Sequence, residues 1–257
     1  MYKILVSDPI SPEGLKSLID HKDFEVEINT ELNESELVEK IGDYQGLIVR
    51  SQTQVTAEMI EAAPNLKVIA RAGVGVDNID VDAATKNGVI VINAPDGNTI
   101  SATEHSMAMI LSMARNIPQA HQSLKNGKWD RKTYRGTELY NKTLGVIGAG
   151  RIGLGVAKRA QSFGMHILAF DPYLSEDKAK ELNVTRATVE EIAEQADFVT
   201  VHTPLTPKTK GIVGKDFFEK AKPTLQIINV ARGGIIDETA LLDALNNDQI
   251  QSAAIDV

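Results

Sequence analysis

The sequence predicts an α/β protein made of two doubly wound parallel-sheet domains, and three observations carry that prediction. Short β-branched runs alternate with amphipathic segments through the 257 residues, the alternation falls into two blocks, and a cluster of turn formers separates the blocks. Alternation of this kind marks βαβ units, because parallel strands need a helical crossover between them.

In the first block, strand runs near residues 3–7, 24–28, 46–49, 67–70 and 89–92 are separated by helical patterns near 12–20, 34–41, 56–62 and 80–86. Asn93-Ala94-Pro95-Asp96-Gly97-Asn98 then breaks the pattern. Asn98 has the side chain to cap a long helix running to about Arg115, ahead of Pro118. The domain boundary is placed here, giving domains 1–96 and 97–257. Residues 121–140, which include Lys128, Trp129, Arg131, Tyr134 and Arg135, show little periodicity and read as a long excursion. The second block places strands near 143–147, 166–170, 197–201, 225–229 and 251–255, with helices between them.

Composition narrows the function classes. With 42% hydrophobic and 24% charged residues the chain is ordinary globular material, large enough for two cores. A formal net charge of −8 argues against a nucleic-acid or anionic-membrane partner, either of which needs a cationic surface. The absence of cysteine excludes disulfides, thiolate metal sites and cysteine nucleophiles, and no metal is assigned. No apolar run approaches signal-peptide or membrane-spanning length, so the expected address is cytoplasmic.

The strongest local signal is a dinucleotide fingerprint. Thr143-Leu144-Gly145-Val146-Ile147 runs into Gly148-Ala149-Gly150-Arg151-Ile152-Gly153 and then into a helical pattern from Leu154 to Phe163. At such a strand-to-helix turn Gly148 permits the tight turn, Gly150 lets backbone approach a pyrophosphate, and Gly153 lets helix and strand pack closely. The next strand run ends at Asp171, where a carboxylate accepts hydrogen bonds from the adenine ribose and repels the extra phosphate of NADP. The second domain therefore reads as a Rossmann domain, and the expected cofactor is NAD. Farther on, Ile227-Ile228-Asn229-Val230 ends in Ala231-Arg232-Gly233-Gly234. This puts Arg232 at a strand's carboxyl end, the edge where open α/β sheets bind ligands, with a fork that matches a carboxylate.

Taken together, Arg71-Ala72-Gly73-Val74-Gly75-Val76-Asp77-Asn78, the glycine fingerprint, Val201-His202-Thr203-Pro204-Leu205 and Asn229-Val230-Ala231-Arg232-Gly233-Gly234 resemble the D-isomer-specific 2-hydroxyacid dehydrogenases in order and spacing. Leu47-Ile48-Val49-Arg50-Ser51 and Asn93 to Asn98 look like the family's phosphoglycerate-oxidising branch. The resemblance implies a flavodoxin-like substrate domain ahead of the Rossmann domain. It implies NAD-dependent oxidation of 3-phospho-D-glycerate to 3-phosphohydroxypyruvate, the first step of L-serine biosynthesis. Arg232 is then the catalytic residue that holds the substrate carboxylate and polarises the keto oxygen. Gly73, Val74 and Gly75 would offer backbone N–H groups to that carboxylate, and Arg50 and Asn98 would bind the rest of the substrate, Arg50 taking the phosphate. Arg71 and Arg131 are weaker candidates. On the cofactor side the resemblance adds Arg151 and Ile152 at the pyrophosphate turn, Thr203 and Val230 along the cleft, and Asp256 near the nicotinamide amide.

The family mechanism also uses a histidine paired with a glutamate, and these follow the position of Asp256 in the family, whereas this chain ends at Val257. None of His21, His105, His121, His166 and His202 is assigned as the base. The expectation is a Rossmann domain incomplete at its C-terminus, with a sheet edge and apolar surface uncovered, and a chain inactive without those two residues. The resemblance further implies a homodimer or higher homo-oligomer, with the lone tryptophan, Trp129, as an aromatic anchor. Two rival readings are another small 2-hydroxy acid as substrate, as in hydroxypyruvate or glyoxylate reductases, and a non-catalytic NAD(H)-sensing protein of the same fold.

Overall fold

Runs such as Val68-Ile69-Ala70-Arg71 become strands because β-branched side chains fit a pleat covered by helices. A computed structural model describes residues 1–257 and divides into two units, Met1–Asn98 and Thr99–Val257. The division falls two residues beyond the boundary drawn from sequence, so Asn98 belongs with the first unit.

The first unit contains β1 (Tyr2–Val6), α1 (Pro12–Ile19), β2 (Phe24–Ile28), α2 (Glu34–Ile41), β3 (Gly46–Val49), α3 (Ala57–Glu61), β4 (Val68–Arg71), α4 (Val81–Lys86) and β5 (Ile90–Asn93). Its parallel strands lie in the order β2-β1-β3-β4-β5, the flavodoxin-like arrangement. Each helix starts at a side-chain cap, from Ser11, Asn33, Thr56 and Asp80, and Asn33 with Glu36 forms a full capping box. Right-handed crossovers put α2, α3 and α4 on one face, where Leu37, Ile41, Met59 and Ile60 bury Leu5, Leu47 and Ile69. On the opposite face Ile48, Val68, Ala70 and Ile92 line an open apolar hollow, and Ile92 is 51% exposed.

The second unit runs α5 (Thr99–Ala114), α6 (Ile117–Lys125), β6 (Thr143–Ile147), α7 (Arg151–Ser162), β7 (His166–Phe170), α8 (Glu176–Glu181), β8 (Thr185–Arg186), α9 (Val189–Gln195), β9 (Phe198–Val201), α10 (Lys215–Lys220), β10 (Gln226–Asn229), α11 (Glu238–Asn246) and β11 (Ser252–Ile255). The sheet order β11-β10-β9-β6-β7-β8 is the 3-2-1-4-5-6 order of a Rossmann sheet. Alternate side chains feed two cores. Val146, Phe198 and Ile228 meet α5 and α7, whereas Ile147, Val199 and Ile227 meet α9, α10 and α11. Helix α5, which precedes the first strand of this sheet in the chain, lies beside α7 on the same face and covers the part over β10 and β11.

Three elements differ from the sequence reading. Residues 121–125 belong to α6 rather than to an excursion, because Pro118 sits in the first turn of that helix, where its missing N–H costs nothing. Helix α7 begins at Arg151, three residues ahead of the apolar pattern, so Gly153 lies inside its first turn. The two-residue strand β8 went unread, since so short a segment carries no periodicity. No helix is long and apolar enough to cross a membrane.

Candidate dinucleotide and substrate site

The glycine turn between β6 and α7 needs each glycine for a different reason. Gly148 has φ +100°, and a Cβ there would lie 2.7 Å from the carbonyl carbon of His202 and 2.8 Å from the amide of Thr203. This turn therefore lies directly against the loop that follows β9. A Cβ on Gly153 would run into the carbonyl oxygen of Gly148, so the first turn of α7 is seated on the loop itself. Gly150, by contrast, caps the helix with nothing within 4 Å of its Cβ position. The opening above Gly150, with the first N–H groups of a 12-residue helix beneath it, is the shape a pyrophosphate requires. Arg151 is exposed and Ile152 half-buried at this end.

Asp171 follows β7 beside the turn. Its Oδ2 accepts from Ala149 N at 2.9 Å and its Oδ1 from Tyr173 N at 2.8 Å. Each carboxylate oxygen keeps a second lone pair, so the group is oriented and still able to accept from ribose hydroxyls. Across the turn, Thr203 Oγ1 is buried without any partner. A buried hydroxyl left unpaired is expensive, and a ligand group in the cleft would satisfy it. A dinucleotide fits these residues: open space at Gly150, an aimed acid at Asp171 and a waiting donor at Thr203.

His202, between the two, is held neutral. Part of the residue reaches solvent, but desolvation of the ring lowers its pKa to about 4, and Nε2 lies 2.9 Å from Thr200 Oγ1. An unfolded chain protonates this ring near its ordinary value of 6.5, and the folded chain does so only near 4. Its contribution to stability is therefore complete above 6.5 and lost as pH falls toward 4. Urea titrations at about pH 7 and about pH 4.5 should show His202→Asn losing roughly 2 kcal/mol less on acidification than the parent. Equal acid-side losses would mean the ring titrates normally.

The arginine turn after β10 is held by Asn229, a buried residue given no role from sequence. Asn229 Nδ2 donates to Arg232 O at 2.9 Å, and its Oδ1 accepts from Ala231 N at 2.9 Å. Asp256 N donates to Asn229 O at 3.0 Å, which ties the end of β11 to the same turn. Val230 and Arg232 are half-buried, and Arg232 Nη1 donates to Ala231 O at 2.7 Å. Asp256 is exposed, with Oδ1 3.4 Å from His105 Nε2. Thus Gly148, Gly150, Gly153, Asp171, Thr203, Val230, Arg232 and Asp256 all stand at the carboxyl edge of one sheet.

In the first unit, Arg50 follows β3 with its side chain exposed. Its loop hangs on Asp8, only 1% exposed, whose carboxylate accepts from Arg50 N at 2.5 Å, Gln52 N at 3.2 Å, Thr53 N at 3.1 Å and Thr53 Oγ1 at 2.6 Å. Arg71 is buried, and its Nε donates to Arg50 O at 3.0 Å and Asn78 Oδ1 at 2.7 Å. It braces the loop that carries Arg50, and its guanidinium fills the place a Cβ on Gly73 would need. The expected donor set also changes, because Gly73 N donates to Arg71 O at 2.9 Å. That leaves the amides of Val74 and Gly75 as the donors this turn can present. Asn98 is exposed, as is Arg131 in the second unit. Asp8 and Asn78 lacked any signal beyond an acid after a strand and an amide after a glycine-rich turn.

Comparison with known proteins bears on the family and the fold. The chain is 51% identical over its whole length to D-3-phosphoglycerate dehydrogenase of Bacillus subtilis, and 53% identical to that of Methanocaldococcus jannaschii. It spans about half the length of these curated relatives, 48% and 49% respectively. A crystal structure of D-lactate dehydrogenase from Aquifex aeolicus, complexed with NAD and lactic acid, superposes with a TM-score of 0.89 at 28% identity, over 99% of this chain and 76% of that one. Residues 107–257 match the domain described as "D-isomer specific 2-hydroxyacid dehydrogenase, NAD binding domain". With the glycine turn, the acid after β7 and the arginine turn all inside or against that match, the chain belongs to the D-isomer specific 2-hydroxyacid dehydrogenase family.

Proposed function

We propose that this chain takes part in NAD-dependent oxidation of 3-phospho-D-glycerate to 3-phosphohydroxypyruvate, the entry to L-serine biosynthesis. The observation that carries the reading is identity of 51% and 53% over the whole chain to two relatives named D-3-phosphoglycerate dehydrogenase. The residues supply fitting chemistry. Arg232 stands on a turn braced by Asn229, so its guanidinium is positioned to pair with a carboxylate and to stabilise charge on the C2 oxygen. The unused amides of Val74 and Gly75 suit the same carboxylate, and the exposed cation of Arg50, on a loop fixed by Asp8, suits the phosphate. Asn98 is retained as a further substrate contact.

NAD supplies the acceptor for the hydride that leaves C2, while the C2 hydroxyl proton passes to a base. We assign that base to no histidine in residues 1–257. His202, with a pKa of about 4, is too weak an acceptor at neutral pH, and His105 faces Asp256. We also infer a homodimer or higher homo-oligomer, since Trp129 is 72% exposed on the segment between α6 and β6, where a bare indole suits a partner surface.

Calorimetry tests the substrate reading. NADH is bound first, and 3-phosphoglycerate is then titrated into the complex. Arg232→Ala is expected to abolish measurable substrate binding, and Arg50→Ala to weaken it by at least about tenfold. Asp171→Ala serves as the control that loses dinucleotide. If NADH binds and phosphoglycerate does not, or if neither arginine matters, the substrate assignment fails while the cofactor assignment stands.

A further inference from the structure

Two helices and a strand converge on a His105–Asp256 pair in which the histidine has so far been given no role. His105 lies in the first half of α5, two residues beyond a contact with α7: Thr103 Oγ1 is 3.5 Å from Ile152 O, and a Cβ on Gly155 would lie 2.7 Å from that hydroxyl. The same helix packs on β10 and β11. Asp256 follows β11, its amide bonded to Asn229 O at 3.0 Å, and its Oδ1 lies 3.4 Å from His105 Nε2. Both side chains are about half exposed, at 46% and 49%, and the pair stands at the carboxyl edge of the sheet.

The fold fixes which end of a dinucleotide this edge would meet. A Rossmann sheet consists of two mononucleotide halves related about its central crevice. Asp171, after β7, marks the half made by β6, β7 and β8 as the adenosine side. The half made by β9, β10 and β11 is left for the nicotinamide, and Asp256 closes its outermost strand. A nicotinamide carboxamide presents an NH2 group, which a carboxylate accepts well. A carboxylate meets a ligand group at a fixed point only when a second group orients it. Helix α5 is rigid and deeply packed, with Met107 and Ile110 in the core, and its imidazole supplies that hold.

We infer that His105 is a positioning residue: it fixes the carboxylate of Asp256 toward the carboxamide of the bound nicotinamide, and so sets the affinity for that half of the cofactor alone. This inference rests on the assignment of the second unit as a dinucleotide site. Its test compares NADH with ADP-ribose, which has the adenosine and pyrophosphate parts but no nicotinamide, by calorimetry on the whole chain.

His105→Leu is expected to weaken NADH about fivefold while ADP-ribose stays within about twofold, since a half-exposed polar contact contributes modestly. His105→Gln, which keeps a donor on a similar stem, should recover most of the loss. In an Asp256→Ala background, His105→Leu should add nothing further. Equal weakening of both ligands would reduce His105 to a packing residue, and so would a glutamine variant as weak as leucine. Unchanged NADH affinity in His105→Leu would overturn the inference outright. If the parent chain bound neither ligand, the dinucleotide assignment itself would fall, a result distinct from any of these.

Discussion

Gly153→Ala should destabilise the second unit by about 3 kcal/mol, as forced overpacking does, and should weaken NADH by more than about a hundredfold. The cause is local: the new methyl has no room beside the Gly148 carbonyl, so the first turn of α7 must lift from the loop it rests on. Lifting it moves both the helix N-terminus and Gly150, which together form the anion seat. Gly150→Ala makes the informative contrast. Its Cβ meets nothing within 4 Å, and its φ of −77° suits any residue, so the protein should unfold at the parent's midpoint. Its NADH affinity should nonetheless fall, because the methyl would occupy space the pyrophosphate needs. Guanidinium unfolding and calorimetry on the two variants separate a glycine needed by the fold from one needed by the ligand. Normal folding and binding in Gly153→Ala would refute the packing argument.

The second large effect is expected at Asp8. Asp8→Ala removes one carboxylate that satisfies the amides of Arg50, Gln52 and Thr53 and the hydroxyl of Thr53. Those donors lie in a partly buried loop, and leaving several unmet should cost the first unit about 3 kcal/mol. Because the same loop presents Arg50, the proposed phosphoglycerate binding should weaken as well, through displacement of that loop. Urea unfolding followed by calorimetry in the NADH complex would show both losses. A stability change under about 0.5 kcal/mol, the level of an ordinary surface substitution, would show that water replaces the carboxylate and that the loop does not depend on it.

How much of this was legible in the sequence differs from one feature to the next. The strands were legible because β-branched runs such as Ile227-Ile228 are buried on both sheet faces and leave a contiguous apolar stretch. Gly148, Gly150, Gly153 and Asp171 were legible because their spacing follows from one turn and one neighbouring strand. Local rules miss what distant segments decide. Asp8 gains its partners from residues more than forty positions away, and Arg71 is buried only because Asn78 and the Arg50 carbonyl receive its guanidinium. Gly73 was read as a donor, but Arg71 O takes its N–H within the turn, a detail set by backbone angles that composition does not encode. Helix α6 was hidden because one face of it is nearly all polar and only Ser123 is buried.

Helix α5 also shapes how the second unit comes into being. Met107, Ile110 and Ala114 complete a core whose other walls include Ile228, and the helix packs on β10 and β11, strands that lie more than a hundred residues farther along the chain. During translation this apolar stripe leaves the ribosome long before the strands that cover it. Loop closure over that span makes the unit a late, high-contact-order folder that exposes a sticky helix while it waits. A fragment cut to begin at the glycine-rich strand would never recover that wall, and the same long-range closure should make this unit unfold as one cooperative body rather than fray from β11.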